Sequence, residues 1–259
     1  MLLRVLVVSL FVVGNAFAAK PVEVVVHRGD NGHAPENTIA AAKRCVDMGI
    51  EYLEFDVRRS KDGVHYILHD PTLDRTTDGT GAIRSLNSQE IDALDAGSWF
   101  SEKFKGERIP RLEALLDFCK DKIKLYFDVK DADIAYLIRL VHERGLQDQC
   151  FFWFGNKTQA MQFRELSKDL ELKVNAGSPE EVKRAKDELG ATLIECGINS
   201  LTPEFIETCR SLGLRIMTRV GEPDEAAFRR TIEAGADLIN LDHPELFQKV
   251  QAEVLGKAK

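Results

Sequence analysis

Short β-rich segments alternate with amphipathic segments along most of the sequence, and this alternation limits the fold more than any other feature. Strands joined by helical segments are typical of parallel α/β folds. The sequence predicts strands over residues 22–26, 52–57, 64–68, 124–129, 150–154, 172–175, 192–196, 214–218 and 237–241. It predicts helices over residues 38–48, 112–120, 134–144, 157–166, 179–188, 203–212 and 225–234.

One pair of neighbouring strands is too close in sequence to be joined by a helix. Only residues 58–63 separate the strands predicted over 52–57 and 64–68, and Asp62-Gly63 is a turn signal. A parallel crossover needs about a dozen residues. We therefore predict that these two strands form an antiparallel hairpin.

Eight of the nine predicted strands then remain for a parallel sheet. This number favours an α/β fold of the TIM (β/α)8 barrel type, with the hairpin after strand 2, in a chain near the typical length of about 250 residues. A doubly wound open sheet is the alternative, but no GxGxxG turn follows the first strand. The long connection over about 70–110 carries turn signals and short helical patterns, which predict a small inserted subdomain beside the site.

The N-terminal residues have the pattern of an export signal. Arg4 precedes an apolar run over residues 5–13, and residues 16–18 read Ala-Phe-Ala, a small-x-small cleavage pattern. The run is shorter than the roughly 20 residues that span a bilayer. We predict that residues 1–18 are a signal peptide, that residues 19–259 form the barrel domain, and that the protein is secreted or periplasmic without a stable membrane anchor.

Charge and cysteine content exclude several classes of function. The net charge of -7 argues against nucleic acid or an anionic membrane as the main partner. No two of the five cysteines have CxxC spacing, so zinc ligation and thiol redox chemistry are not expected. An odd number of cysteines leaves at least one thiol unpaired within the monomer. The sequence alone does not determine the oligomeric state.

Ionisable side chains cluster at the predicted carboxyl ends of the strands, where barrel enzymes carry their chemistry. Glu54 and Asp56 stand two residues apart in one strand, so their side chains share a face. His27 follows the first strand, His69 follows the hairpin, and Asp128 lies at the end of the third barrel strand. Three carboxylates this close would repel one another without a counter-charge.

These residue types together indicate phosphodiester chemistry. Oxygen ligands without a cysteine favour Mg²⁺ or Ca²⁺. Arg28 and Lys130 are donors that match phosphate oxygens, and a pair of histidines can serve as base and acid. If the hairpin turn centres on residues 61–62, antiparallel pairing places Glu54 roughly opposite His69.

A series of motifs resembles the glycerophosphodiester phosphodiesterase family. The resemblance is dense over residues 26–81 and continues to residue 244. The motifs are His27-Arg28-Gly29, Ala-Pro-Glu-Asn-Thr at 34–38, Glu-Phe-Asp-Val at 54–57, Lys-Asp-Gly at 61–63, His69-Asp70, Leu-Asp-Arg-Thr-Thr at 73–77, Ile-Pro-Arg-Leu at 109–112, Asp128-x-Lys130 and Leu-Asp-His-Pro at 241–244.

The resemblance implies a barrel with an insertion after the His-Asp segment, and hydrolysis of small glycerophosphodiesters to glycerol 3-phosphate and an alcohol with one divalent cation, Ca²⁺ or Mg²⁺. It implies that the catalytic pair is His27 and His69. It implies that the metal ligands are Glu54, Asp56 and Asp128, and that the phosphate is bound by Arg28 and Lys130. The family usually has glutamate where this chain has Asp128, one methylene shorter. The strand segments 151–154 and 217–219 also depart from the family pattern.

The other notable residues have simpler interpretations. Glu36 and Asn37 are interpreted as helix-start residues that shape the loop after Arg28. Trp99 and Trp153 are interpreted as core or pocket wall, and the histidines at 33, 65, 142 and 243 as structural.

Two other functions remain open: another barrel phosphodiesterase, phospholipase D-like or phosphoinositide-cleaving, and a non-catalytic phosphodiester-binding protein. Binding alone does not need an acid–base pair, which argues against the latter.

Overall fold

Eight parallel strands close into a barrel in the computed structural model, which describes residues 20–257. The strand order is β1-β9-β8-β7-β6-β5-β4-β2, and pairing of β1 with β2 closes the ring. The predicted TIM barrel is therefore confirmed. The strands are β1 (Glu23–Val26), β2 (Tyr52–Arg59), β3 (His65–Ile67), β4 (Lys124–Val129), β5 (Cys150–Phe154), β6 (Glu171–Asn175), β7 (Leu193–Gly197), β8 (Arg215–Val220) and β9 (Leu238–Leu241).

Helices cover the outside of the barrel and follow the strands along the chain. Within residues 20–257 the helices are α1 (Ile39–Asp47), α2 (Ser88–Ile91), α3 (Leu112–Cys119), α4 (Ile134–Arg144), α5 (Lys157–Leu166), α6 (Pro179–Leu189), α7 (Pro203–Ser211), α8 (Glu225–Glu233) and α9 (Pro244–Lys257). The C-terminal helix α9 was not predicted from the sequence. No helix in this range is both long and apolar enough to cross a membrane.

The antiparallel hairpin is present, but its register differs from the prediction. Val57 pairs with Ile67 across β2 and β3. In this register the position that faces His69 is Phe55, so the predicted pairing of His69 with Glu54 is wrong by one residue. The hairpin therefore does not bring Glu54 and His69 together.

The turn of the hairpin explains this shift. The Ser60 amide donates to the Val64 carbonyl at 2.9 Å, so the loop between them contains the three residues 61–63. Gly63 ends the loop at φ 88°, a left-handed conformation that glycine adopts at little cost. The prediction assumed a turn centred on residues 61–62, and the extra loop residue moves every later pair by one position.

Alternation along the strands builds three layers inside the barrel. At the amino ends, Lys124 donates to Glu23 at 2.7 Å, and Arg215 binds Glu171. Above this charged layer lies an apolar cluster of Val25, Tyr52, Tyr126, Phe151, Leu193, Met217 and Leu238. The next inward-facing positions, at the carboxyl ends, carry His27 and the predicted metal ligands. The strand pattern thus seals the bottom of the barrel and leaves the polar groups at its mouth.

The outward faces of the strands pack against the helices. Phe127 on β4 stacks on Phe152 of the neighbouring strand at 4.4 Å between ring centroids, and Phe152 packs in turn against Phe163 of α5. All three rings are fully buried. Burial of one such side chain contributes about 1.5–3 kcal/mol to stability, so this aromatic layer holds the β4–β5 part of the barrel firmly in place.

Residues 71–110 lie between β3 and α3 and carry only short elements, α2 and two 3₁₀ turns. This segment packs against the end of the hairpin through an apolar cluster made of Tyr66, Leu68, Leu73, Ile83, Ile91, Ala96 and Ile109. Trp99 does not fit its interpretation as core or pocket wall, because it is 41% exposed and packs edge-on against Phe100. The predicted signal peptide lies outside the described residues.

Candidate active site at the mouth of the barrel

Three carboxylates meet where β2 and β4 end. Glu54 and Asp56 share the inner face of β2, and Asp56 is the register partner of Asp128 on β4. One carboxylate oxygen from each residue lies within 4.8 Å of the others. Glu54 and Asp56 are fully buried, and the Asp128 side chain is only 13% exposed. The three side chains predicted as metal ligands are therefore neighbours in the fold.

The electrostatics of this cluster fit a bound cation. Burial, with the nearby charges of Asp56 and Asp128, raises the pKa of Glu54 well above its usual range. Burial and the charge of Asp56 also raise the pKa of Asp128. Oδ1 of Asp128 is buried without a hydrogen-bond partner, and Oδ1 of Asp56 is buried with only the Lys130 ammonium group beside it, at 3.2 Å. Buried acceptors are normally satisfied, so a divalent cation bound by oxygen ligands suits this donor set.

Two cationic side chains flank the carboxylates. Lys130 Nζ lies 2.8 Å from Asp128 Oδ2 and 3.2 Å from Asp56 Oδ1, and Arg28 Nε lies 3.4 Å from Asp56 Oδ2. Burial would lower the pKa of Lys130, but the charges of Asp56 and Asp128 outweigh it and raise that pKa. Lys130 therefore stays charged beside the cluster. Both residues predicted to bind phosphate lie next to the predicted metal site.

The turn after β1 presents a backbone donor to the cluster. Arg28 has φ 57°, and its amide donates to Glu54 Oε2 at 2.6 Å. Gly29 follows at φ 77°, and a Cβ at that position would lie 2.7 Å from the Cβ of Ala41 in α1. Only glycine fits this approach of the loop to the helix. The His27-Arg28-Gly29 motif is thus explained by the geometry of the turn.

Asn37 has a role that the sequence analysis missed. Its Nδ2 donates to Asp56 Oδ2 at 2.8 Å, and its Oδ1 accepts from the Asp56 amide at 3.2 Å. The helix cap is Thr38, whose hydroxyl accepts from the Ala41 amide. The interpretation of Asn37 as a helix-start residue is therefore incomplete, because its side chain orients Asp56. The sequence did contain a signal for this role. Asn37 and Thr38 both favour the N-cap position, but one helix has only one N-cap residue, so the other side chain is available for a different contact.

His27 is held by Asp242, which directly follows β9. His27 Nδ1 lies 2.7 Å from Asp242 Oδ1, which also accepts from Asn31 Nδ2 at 2.9 Å. Arg219 donates to Asp242 Oδ2 at 3.1 Å. Burial would raise the pKa of Asp242, but its contacts with His27 and Arg219 lower it below the usual range. Arg219 Nη2 also lies 3.1 Å from Nδ1 of His27, but the carboxylate is closer and favours a proton on Nδ1, which leaves Nε2 free to accept one.

His69 is held in a similar way by its neighbour in sequence. Its Nδ1 lies 2.7 Å from Asp70 Oδ1, and Arg75 Nε donates to Asp70 Oδ2 at 2.6 Å. The hydrogen bond from Arg75 is the main reason why the pKa of Asp70 falls to about 2. Arg75 also donates to both oxygens of Glu36, and Glu36 in turn accepts from Arg28 at 3.1 Å. Glu36, interpreted as a helix-start residue, instead links His69 to the loop after β1.

A cavity of about 440 Å³ opens beside the carboxylates. His27, Glu54 and Asp128 line one part of it. The side chains that line the part on β5 to β9 include those of Trp153, Lys173, Asn175, Glu195, Arg219 and Asn240. Trp153 is thus a wall of the cavity, as expected. His69 is not among the residues that line this cavity. A chain of contacts through Asp70, Arg75 and Glu36 links it to the loop beside the cluster.

We expect Asp242→Asn to lower kcat by about 100-fold or more with little change in KM. A carboxamide can donate to Nδ1 of His27 and so favours the tautomer with the proton on Nε2, which cannot then accept one. The matched control is Asp169→Asn, because Asp169 contacts His142 at 3.3 Å outside the cavity. Steady-state kinetics of both variants test this role, and a kcat for Asp242→Asn within about twofold of the wild type would contradict it.

A closed parallel barrel with a carboxylate cluster at the carboxyl ends of its strands defines a barrel enzyme whose site suits a divalent cation. Residues 27–145 match the sequence model of the glycerophosphoryl diester phosphodiesterase family. The chain is also 33% identical over 231 residues to a glycerophosphodiester phosphodiesterase of Caldanaerobacter subterraneus, which covers 86% of this chain and 94% of that relative. The chain belongs to this family, and it is a phosphoric diester hydrolase as predicted.

Solved structures agree with this assignment. A glycerophosphodiester phosphodiesterase from Agrobacterium tumefaciens is 37% identical, with a TM-score of 0.83 over 88% of this chain and 100% of that one. A phosphodiesterase from Oleispira antarctica, solved in complex with the product sn-glycerol-3-phosphate, is 26% identical with a TM-score of 0.80, over 88% of this chain and 96% of that one.

Proposed function

We propose that the chain hydrolyses glycerophosphodiesters to glycerol 3-phosphate and an alcohol, by acid–base catalysis between His27 and His69 next to a divalent cation. The observation that carries this proposal is the pair of histidines, each held through Nδ1 by an aspartate that also binds an arginine, together with a buried carboxylate cluster at the same mouth of the barrel. A non-catalytic binding site would need the charges but would not need two oriented histidines.

The carboxylates of Glu54, Asp56 and Asp128 would hold the cation, and Ca²⁺ or Mg²⁺ suits a site made of oxygen ligands. When bound, such an ion neutralises charge on the phosphate and makes a nearby hydroxyl more acidic. Asp128 is one methylene shorter than the glutamate usual in the family, which leaves more room for water between this ligand and the ion.

The protein's own groups supply the remaining steps. Arg28 and Lys130 bind the non-bridging phosphate oxygens and stabilise the negative charge that builds up in the transition state. One histidine takes the proton of the attacking hydroxyl, which is that of water or the one on the neighbouring glycerol carbon. When the glycerol hydroxyl attacks, the product of this step is a cyclic phosphodiester, and water then opens the ring to give glycerol 3-phosphate. The other histidine gives a proton to the leaving alcohol. His27 has Nε2 free for either task, and Asp70 orients His69 for the complementary one.

The direct test follows glycerophosphocholine and the purified protein by phosphorus NMR in the presence of Ca²⁺ or Mg²⁺. We expect glycerol 3-phosphate as the phosphorus-containing product. Phosphocholine as the product would mean cleavage of the other ester bond and would contradict the proposal. Stable binding of the diester without turnover would instead support the phosphodiester-binding protein.

We also propose that the protein is exported and that the mature chain begins at Ala19. The support is the apolar run and the Ala-Phe-Ala triplet at 16–18. All five cysteines are buried and free, and burial raises the pKa of Cys45 and of Cys119 to about 12. Thiols protected in this way resist oxidation, so an oxidising compartment would leave the fold intact.

Mass spectrometry of the protein produced in a bacterial host tests this location. We expect the form recovered outside the cytoplasm to begin at Ala19. A variant with Ala18→Trp is the control, because a large residue at the last position of the signal blocks cleavage. Full-length protein confined to the cytoplasm would contradict export.

A further inference from the structure

The mouth of the barrel contains a buried ion pair that the proposed chemistry does not use. Lys173 on β6 is 2% exposed and pairs with Glu195 on β7. The same Nζ donates to Asn175 Oδ1 at 2.8 Å. It also lies 4.9 Å from the ring centroid of Trp153. All four residues line the cavity beside the carboxylate cluster.

Stability alone does not explain a buried ion pair at this place, because apolar residues of similar volume often stabilise a protein as well or better. The two charges cancel each other, so the pair adds no net charge to the cavity. It does add polar atoms to a wall that could have been apolar. Such a wall can recognise a ligand group that is uncharged and forms hydrogen bonds.

Asn240 on β9 provides the second observation. Its Nδ2 donates to Glu195 Oε1 at 3.3 Å, which fixes the orientation of the amide because a carboxylate only accepts. Its Oδ1 is buried and has no hydrogen-bond partner, although Asn240 is 4% exposed and lines the cavity. Native proteins rarely leave a buried acceptor unpaired, so this oxygen is suited to a donor that arrives with the ligand.

We propose that Asn240 and the pair of Lys173 with Glu195 form a subsite that binds the terminal hydroxyl group of the glycerol half of the substrate. This inference rests on the proposed function. A hydroxyl group can donate to Oδ1 of Asn240 and accept from a nearby amide or ammonium group. An ammonium head group would find no unpaired anion in this subsite, so the alcohol half of the diester lies elsewhere.

The test compares two phosphate monoesters that differ only in their hydroxyl groups. Glycerol 3-phosphate and propyl phosphate are titrated calorimetrically into the protein loaded with Ca²⁺ or Mg²⁺. We expect the wild type to bind glycerol 3-phosphate at least about tenfold more tightly, the scale of one or two hydrogen bonds. Asn240→Leu should remove this preference and leave the affinity for propyl phosphate unchanged.

Two further variants keep the test decisive. Asn199→Leu is the matched control, because Asn199 is exposed and does not line the cavity. If Asn240→Leu fails to fold, the double variant Lys173→Met with Glu195→Gln takes its place, since it removes both charges together. That double variant should also lose the preference for glycerol 3-phosphate.

Equal binding of the two ligands by the wild type would overturn the subsite, as would a preference that survives in the variants. Glycerophosphocholine hydrolysis by the same wild-type preparation separates this failure from failure of the proposed function. Hydrolysis with equal binding would overturn the glycerol subsite alone. Absence of both hydrolysis and ligand binding would contradict the proposed function and the subsite with it.

Discussion

Replacement of either His27 or His69 by alanine should lower kcat for glycerophosphocholine by about 100-fold or more, the usual scale for loss of an acid–base group. Each histidine is oriented by an aspartate at 2.7 Å, so its removal leaves the reaction without one proton transfer. The double variant should be little worse than the worse single variant, because paired catalytic groups act as a unit. Steady-state kinetics of the three variants measure this.

A diester with a p-nitrophenyl leaving group assigns the two roles. This leaving group needs little protonation, so the substrate should restore turnover in the variant that lacks the acid. The variant that it fails to restore lacks the base. His142→Ala is the matched control, because His142 contacts Asp169 outside the cavity. Near-normal turnover of glycerophosphocholine by both single variants would overturn the acid–base assignment.

Glu54→Gln and Asp56→Asn should each abolish measurable binding of Ca²⁺ and Mg²⁺ and lower activity to the same extent. Each substitution removes one charge from the three ligands that lie within 4.8 Å of one another. The apoprotein should not lose stability, because the substitution also relieves repulsion between buried carboxylates. Calorimetric titration with each cation and thermal unfolding of the apoprotein measure these effects.

The matched control for the cation site is Asp131→Asn. Asp131 lies close in sequence to Asp128 but binds Arg59 at 3.0 Å, away from the cluster. This variant should bind both cations with the affinity of the wild type. Unchanged cation affinity in Glu54→Gln and Asp56→Asn would mean that these carboxylates are structural.

Much of the barrel could be predicted because local sequence patterns are sufficient to identify its strands and most of its helices. The six residues 58–63 between two strands exclude a crossover helix, and this spacing alone separates β3 from the parallel strands. The register of the hairpin was wrong because it depends on the number of loop residues, and the left-handed Gly63 is visible only in the structure. The α9 helix was missed because its apolar positions form no clear stripe along the sequence.

Only the part of the candidate site that lies at the ends of strands could be predicted from the sequence. Glu54, Asp56 and Asp128 stand at positions where a barrel presents its side chains, so their meeting follows from the fold. Asp242 lies 215 residues from His27, and no local pattern indicates their contact. Arg219 lies in a strand segment that departs from the family pattern, and its contact with Asp242 likewise requires the closed barrel.

The dependence of hydrolysis on a cation at the carboxylate cluster is the most direct test of the proposed mechanism. The measurement is the initial rate of glycerophosphocholine hydrolysis after treatment with EDTA and after addition of excess Ca²⁺ or Mg²⁺. Under this mechanism the wild type loses activity with EDTA and regains it with the cation, whereas Asp56→Asn does not regain it. Full activity of the wild type in EDTA, or equal recovery of Asp56→Asn, would contradict it.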